Sequence, residues 1–297
     1  MPYTQAVTRR DALVHGGLFV ACCITTTIAG GIAFGATLMG ILLCHEAGHY
    51  IVGKRHGHDV SLPYFIPLPP FFTLGTLGAV IGMRKPIEDR RILFDVGAAG
   101  PIAGLVVAIP LLVIGLSLSE VGPIRPDSSI EGNSILYALL KYAVFGRWLP
   151  GDGVDVYLHP MALAGWVGLL VTMINLMPIG QLDGGHIARA ALGDSHEKWS
   201  ARLHVALPLV GITFGSIMLA SARGDGHDWA DSIRYASSGL TPWLVWTVLL
   251  GLMRRQAGQY HPPVDPMPLD GKRKAYAIGM LIVFLLIATP VPWRPVL

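Results

Sequence analysis

Long apolar stretches, separated by short polar segments, dominate the pattern of the chain. A membrane-spanning helix needs roughly 20 predominantly apolar residues, with a range of about 17–25. The stretches that reach this length are approximately Leu13–Gly31, Ile32–Gly53, Ile92–Leu118, Met161–Met177, Leu203–Ala222, Ser237–Met253 and Ala275–Trp293. The pattern therefore predicts an all-α polytopic membrane protein with about seven transmembrane helices, the first two joined by a turn at Gly30-Gly31.

Two further segments depart from this pattern. Ile135–Trp148 is apolar but short, contains Lys141 and Arg147, and is rich in aromatic residues, which favour the membrane interface. We expect it to be an interfacial or re-entrant piece. Between the second and third spans, PYFIPLPP is too rich in proline for a helix. The following TLGTLGAVIGM, residues 73–83, has the Thr, Val, Ile and Gly content that predicts a short β-hairpin or strand.

Composition supports membrane integration and excludes some partners. Hydrophobic residues make up 52% and charged residues 14% of the chain, whereas soluble domains carry about 25% charged residues. The net charge of +3 comes without a dense basic patch, so no nucleic-acid partner is expected. The three cysteines lie inside apolar runs, which predicts buried thiols and no disulfide framework.

The distribution of Lys and Arg predicts orientation. If the N-terminus is cytoplasmic, sixteen of the 22 basic residues fall on the cytoplasmic side and six on the other. The apolar run after Arg9-Arg10 is too long for a signal peptide, so we expect an uncleaved first span. No transit peptide is visible, which favours a prokaryotic plasma (inner) membrane as the location.

The most unusual apolar stretch is LLCHEAGHYIVGKRHG, because His45, Glu46 and His49 lie within a predicted span. Polar groups at membrane depth are costly and mark functional sites. Positions i and i+4 share a helix face, so His45 and His49 can bind one metal ion, with Glu46 nearby as a proton acceptor. This is the zinc metallopeptidase pattern H-E-x-x-H. The competing interpretation is a polar cluster satisfied between helices.

A third ligand is needed, because catalytic zinc usually has three protein ligands and an open position. The stretch NLMPIGQLDGGH lies where the fourth predicted span ends, and Pro178 should end or kink that helix. The charge distribution brings Asp183 to the same side of the membrane as His45 and His49, at similar depth. Asp183 is therefore the candidate third ligand.

Together these motifs resemble the site-2 protease family of intramembrane zinc metalloproteases, whose second block is N-x-x-P-x-x-x-L-D-G. FDVGAAGPIAG, from Phe94, is also similar to a core helix of that family. The resemblance covers about residues 32–192 and implies His45, His49 and Asp183 as zinc ligands and Glu46 as catalytic base. It also implies that Asn175 binds the substrate backbone, although a helix-packing amide is an equal alternative.

The expected architecture is a single transmembrane protease domain, residues 1–297, with additional C-terminal spans at about 203–293. No insertion the size of a PDZ domain is visible. His186 is interpreted as a hydrogen-bond donor to a metal ligand or as a polar surface residue. An unwound membrane-spanning substrate could pair with the edge of residues 73–83 by β-addition.

The predicted function is intramembrane zinc endopeptidase, which cuts membrane-anchored regulatory proteins within or next to their spans. The expected partners are a membrane-spanning protein substrate and the lipid bilayer. The alternatives are a metal-ion transporter that uses the same His/Asp cluster and a catalytically silent scaffold. A transporter does not need Glu46 in this register, and transporters commonly show matching broken helices in two halves. Substrate identity, a need for prior cleavage and oligomeric state stay open.

Overall fold

The computed structural model describes residues 8–71, 73–83, 85–126 and 128–297. Within these residues the chain is mostly helical, with some short strands. The helices are α1 (Arg9–Arg55), α2 (Arg90–Ser117), α3 (Ile135–Phe145), α4 (Pro160–Asn175), α5 (Asp183–Leu192), α6 (Ser195–Gly224), α7 (Trp229–Ala257) and α8 (Gly271–Ile287). The strands are β1 (Tyr64–Pro67), β2 (Thr76–Val80), β3 (Glu120–Pro123), β4 (Ser129–Glu131), β5 (Val154–Tyr157) and β6 (Trp293–Pro295). They pair antiparallel as β1–β2, β3–β5 and β4–β6.

Gly31 divides α1 into two helical arms, because its backbone has φ 85° and ψ 171°, outside the helical region. The arms fold back on each other. A Cβ atom at Gly35 would come within 2.6 Å of the Thr27 hydroxyl and 2.9 Å of the Thr27 backbone nitrogen. In a straight helix these two residues would lie about 12 Å apart. The predicted turn at Gly30-Gly31 is confirmed, and it needs a residue that tolerates positive φ.

The predicted count of seven spans is not confirmed. Among the described residues, the helices long and apolar enough to cross a membrane are α1, α2, α6 and α7. The two arms of α1 correspond to the first two predicted spans. The fourth and seventh predictions correspond to α4 and α8, which have 16 and 17 residues and are not among the helices long and apolar enough to cross a membrane. Prolines explain this, because α4 starts at Pro160 and both helices end shortly before further prolines.

The core sits where the second arm of α1 packs with α2 and α4. Glycines permit the close approach. A Cβ atom at Gly48 would lie 2.5 Å from the Ala99 carbonyl oxygen, and one at Gly165 would lie 2.8 Å from the Leu112 Cβ. Small residues of this kind let membrane helices pack backbone against backbone. This close packing restricts the orientation of α1 relative to α2. It therefore fixes the position of the histidines of α1.

The β1–β2 hairpin lies against the first arm of α1, which confirms the predicted strand segment. His15 Nδ1 donates to the Pro63 carbonyl over 3.0 Å, and Thr25 Oγ1 donates to the Gly75 carbonyl over 2.6 Å. Gly75 has φ +85° and sits so close to the helix that a Cβ atom would lie 2.5 Å from Thr25. The hairpin therefore runs alongside an apolar arm, which shields the part of its backbone that faces the arm.

A small cap joins α2 to α4 and contains a buried charge cluster. α3 is too short to cross a bilayer, in agreement with the prediction for residues 135–148. Lys141 is fully buried, with Nζ 3.5 Å from Glu131 and 3.8 Å from Asp155. Tyr137 donates its hydroxyl to Glu131 over 2.9 Å. Burial raises the pKa of the Glu131 carboxyl, and Lys141 opposes that rise.

We predict that Lys141→Met destabilises the protein by about 3–5 kcal/mol, because two buried carboxylates lose their only close cation among the described residues. Thermal unfolding of the purified protein in detergent measures the effect. Arg147→Met is the matched control, since Arg147 is exposed. Equal unfolding midpoints for the two variants would show that Lys141 does not hold the cap together.

Candidate metal centre

The second arm of α1 presents His45, Glu46 and His49 to the core. The two histidines lie one turn apart, so their rings share a face. His45 is 3% exposed, Glu46 5% and His49 8%. Three polar side chains buried in an apolar arm require partners, because unpaired polar groups are costly there. α2 and α5 supply partners for the two histidines.

Asp183, the first residue of α5, reaches both histidines. Its Oδ2 lies 3.1 Å from His45 Nε2 and its Oδ1 lies 3.2 Å from His49 Nε2. The two Nε2 atoms are themselves 3.2 Å apart. Within the described residues, these three side chains are the group whose ligand atoms converge closely enough to hold a metal ion. The structure thus brings together the residues that the two sequence motifs predicted to meet.

The distances fit zinc. Ligands about 2.0–2.1 Å from a tetrahedral zinc ion lie about 3.3–3.4 Å from one another, close to the spacing of these donors. Imidazole nitrogen and carboxylate oxygen are both common zinc ligands. His49 Nδ1 donates to the Val96 carbonyl over 2.8 Å. That hydrogen bond leaves the Nε2 lone pair free for a metal, which is the usual arrangement of a zinc-binding histidine.

Glycines of α2 create the space for the rings. A Cβ atom at Gly100 would lie 2.0 Å from His49 Nε2, and one at Gly104 would lie 3.2 Å from His45 Nδ1. At Gly97, a Cβ atom would lie 3.0 Å from His186 Cβ and 3.3 Å from the Asp183 carbonyl oxygen. Sequence reasoning did not find this role of the glycines. The spacing of these three glycines, which places them on one helix face, was the available signal.

Asn175 lies at the site as the last residue of α4. Its amide nitrogen is 3.4 Å from His45 Nε2. The chain then leaves the helix before Pro178 and turns at Gly180, where φ is +62°. Gly184 and Gly185 press against this turn, since Cβ atoms there would lie 2.0 Å from the Leu176 carbonyl oxygen and 2.3 Å from that of Gly180. The DGG sequence therefore allows α5 to start at Asp183 so close to α4.

The other polar residues near the site have separate partners. Asp95 pairs with Arg273 of α8 through two contacts of 2.7 and 2.8 Å, and also lies 3.3 Å from His56. His186 bonds to His261, over 2.7 Å between His186 Nδ1 and His261 Nε2. Sequence reasoning missed His261, which is far away in the chain and carries no motif.

Comparison with known proteins identifies a family whose matched stretch contains both sequence motifs. The sequence model described as Peptidase family M50 matches residues 33–218. The protein described as "Probable zinc metalloprotease EGY1, chloroplastic" from Arabidopsis thaliana is 35% identical over 161 residues, or 52% of this chain and 29% of the relative. The protein described as "Probable zinc metalloprotease EGY2, chloroplastic" from the same plant is 29% identical over 264 residues, or 87% of this chain and 42% of the relative. The chain thus spans less than half the length of these relatives. No solved structure matches it significantly.

The predicted location is wrong. The sequence favoured a prokaryotic plasma membrane because no transit peptide was visible, but these curated relatives are described as chloroplastic plant proteins. A missing targeting signal gives no information about the compartment when a sequence corresponds to only part of its relatives. The membrane-integral character does not depend on this inference, since it rests on the apolar helices.

The family match covers more than half of the chain and includes both motifs. The relatives are described as zinc metalloproteases, and the cluster of His45, His49 and Asp183 could hold a metal ion. The predicted enzyme class, zinc metalloprotease, and the predicted zinc cofactor are therefore confirmed at the level of the family. This chain belongs to peptidase family M50, the site-2 protease family.

Proposed function

We propose that the protein is an intramembrane endopeptidase in which His45, His49 and Asp183 hold a catalytic zinc ion. Its substrates are membrane-anchored regulatory proteins, cut within or next to their spans. The observation that carries this proposal is the convergence of two imidazoles and one carboxylate: the two Nε2 atoms lie 3.2 Å apart, and the two Asp183 oxygens lie 3.1 and 3.2 Å from them. We further propose that residues 1–297 act as one transmembrane protease domain.

The depth of the site favours a membrane-embedded substrate. His45 lies ten residues before the end of α1 at Arg55, which corresponds to about 15 Å along the helix. The hydrocarbon core of a bilayer is about 30 Å thick. A peptide bond that reaches this depth belongs to a segment that enters the membrane. Such a segment must unwind first, because helical hydrogen bonds shield its peptide groups.

In the proposed chemistry, the metal and the side chains have different roles. When bound, zinc polarises a carbonyl and makes water nucleophilic near neutral pH. Glu46 accepts the proton of the attacking water, whose oxygen bonds to the scissile carbonyl carbon. The C–N bond then breaks, and Glu46 delivers the proton to the leaving amine. The Asn175 amide, close to His45, is suited to hold the substrate backbone.

The β1–β2 hairpin offers a docking edge for the unwound segment. A two-stranded sheet leaves one edge of each strand unpaired. In β2, Leu77 and Val80 are exposed, at 61% and 54%. We propose that substrate pairs with this edge as an added strand, in which backbone hydrogen bonds supply affinity with little dependence on substrate sequence.

We predict that Gly100→Ala lowers zinc affinity by at least about tenfold although it removes no ligand. The reason is steric, since the new methyl group would lie 2.0 Å from His49 Nε2. Competition with a chromophoric chelator measures the affinity. Gly40→Ala is the matched control, because a Cβ atom there meets nothing within 4 Å. If both variants bind zinc like the wild type, the proposed ligand set is incorrect.

We predict that Glu46→Gln retains zinc but loses cleavage of a single-span test protein in proteoliposomes, by roughly 10²–10⁴-fold. The amide keeps the shape of the side chain but cannot accept the proton. Glu120→Gln, on the exposed surface of the cap, serves as control. Unchanged cleavage would reject Glu46 as the base, and zinc flux without cleavage in the wild type would favour the transporter alternative.

We predict that proline substitutions along Thr76–Ile81 reduce cleavage in an alternating pattern, because every second N–H of a strand points to the free edge. Proline removes that N–H donor. Alanine at Thr76, Leu77, Val80 and Ile81 tests the loss of the side chain alone, and zinc content tests the integrity of the site. Cleavage that survives every proline variant would exclude β-addition at this edge.

A further inference from the structure

The loop between α7 and α8 crosses α5 close to the metal centre. We call residues 258–270 the C-terminal strap. They lie outside the stretch matched by the family sequence model, residues 33–218. Both ends of α5 nevertheless depend on contacts that involve this strap. Asp183 is the first residue of α5. These contacts therefore affect the position of the proposed metal ligand.

His261 of the strap bonds to His186, which lies one helical turn after Asp183. His261 Nδ1 is 2.8 Å from the carbonyl of Pro262, so this nitrogen carries the proton and donates. Its Nε2 must then accept in the 2.7 Å contact, and His186 Nδ1 is the donor. Both rings are neutral in this arrangement. Burial, together with His261, lowers the pKa of His186 to about 3, which is consistent with a neutral pair.

The strap is itself anchored at several points. The Tyr260 backbone N–H donates to the Glu197 carboxylate over 3.1 Å, and the Tyr260 hydroxyl lies 2.8 Å from His204 Nδ1. Further along, the Asp265 N–H donates to the Glu88 carbonyl over 2.8 Å. Tyr260 and His261 are both buried, at 4% exposure each. These anchoring contacts fix the strap and, with it, the position of the His261 imidazole.

The far end of α5 is held by Arg90 at the start of α2. Its guanidinium donates to the carbonyls of Ala190 over 2.7 Å and Ala191 over 2.9 Å. It also lies 3.4 Å from the Pro266 carbonyl of the strap. These carbonyls belong to the last turn of α5, where helices leave acceptors unsatisfied. α5 is thus held at its C-terminal end by Arg90 and near its N-terminal end by His261.

Asp183 needs such support because little else caps the start of α5. The N-cap residue is Leu182, whose side chain cannot accept from the free N–H groups of the first turn, although its carbonyl accepts from the His186 N–H over 2.8 Å. The residues before it form the turn after α4, which contains Gly180 in the left-handed region. A change in the orientation of α5 would shift the Asp183 carboxylate relative to both imidazoles.

We propose that His261 is a positioning residue for the metal centre. Through its bond to His186, it holds the first turn of α5 so that Asp183 stays in register with His45 and His49. This inference rests on the proposed function, in which Asp183 is a zinc ligand. The strap would then be a part of the active-site support that lies outside the matched family core.

Zinc affinity of the purified full chain, measured by chelator competition, tests the proposal. We expect His261→Ala to weaken zinc binding by about 10- to 100-fold, the usual effect of removing a partner beyond the ligands. His261→Gln should restore most of the affinity, because its side-chain oxygen can accept from His186. His227→Ala in the α6–α7 loop is the control, and it should leave affinity unchanged. His186→Ala combined with His261→Ala should cost no more than either alone.

Asp183→Ala distinguishes a failure of the positioning role from a failure of the proposed ligand set. If Asp183→Ala weakens zinc binding and His261→Ala does not, the positioning role is wrong and the ligand set stands. If Asp183→Ala binds zinc like the wild type, the proposed ligand set itself fails. If His261→Ala does not fold without metal, the glutamine variant decides: folded protein with weak zinc binding would overturn the role of the hydrogen bond.

Discussion

The structure depends on one constraint: two imidazoles and a carboxylate, from helices far apart in sequence, must converge within a largely apolar core. His45, His49 and Asp183 meet with their ligand atoms 3.1–3.2 Å apart. Polar groups at membrane depth are costly unless they have partners. The proposed zinc ion would give all three a partner at once, and the surrounding packing serves to maintain their spacing.

The close approach of the helices is what makes this spacing possible. Gly100 and Gly104 leave room for the histidine rings, and Gly184 and Gly185 let α5 start directly beneath the end of α4. Polar contacts outside the metal centre then hold the helices in place. The ion pair of Asp95 and Arg273 joins α2 to α8, and the neutral histidine pair joins α5 to the strap. Each contact uses side chains that would otherwise be unsatisfied near the membrane.

The sequence predicted what local pattern and motif chemistry determine. The histidine spacing of HEAGH, the break at Gly31 and the strands of residues 73–83 all follow from short-range rules, and the structure agrees with them. The number of spans did not follow, because prolines shorten α4 and α8 in otherwise apolar stretches. His261 could not be found either, since its role depends on a contact with a residue 75 positions away. The space at Gly100 depends on a ring from another helix.

X-ray absorption at the zinc edge of the purified, zinc-loaded protein tests the central claim most directly. The account predicts a first shell of nitrogen and oxygen only, at about 2.0–2.1 Å, with outer-shell scattering from two imidazoles. Asp183→Ala should remove one oxygen and leave both rings. A sulfur scatterer at about 2.3 Å, as Cys44 beside the motif would give, or a shell without imidazole, would contradict it.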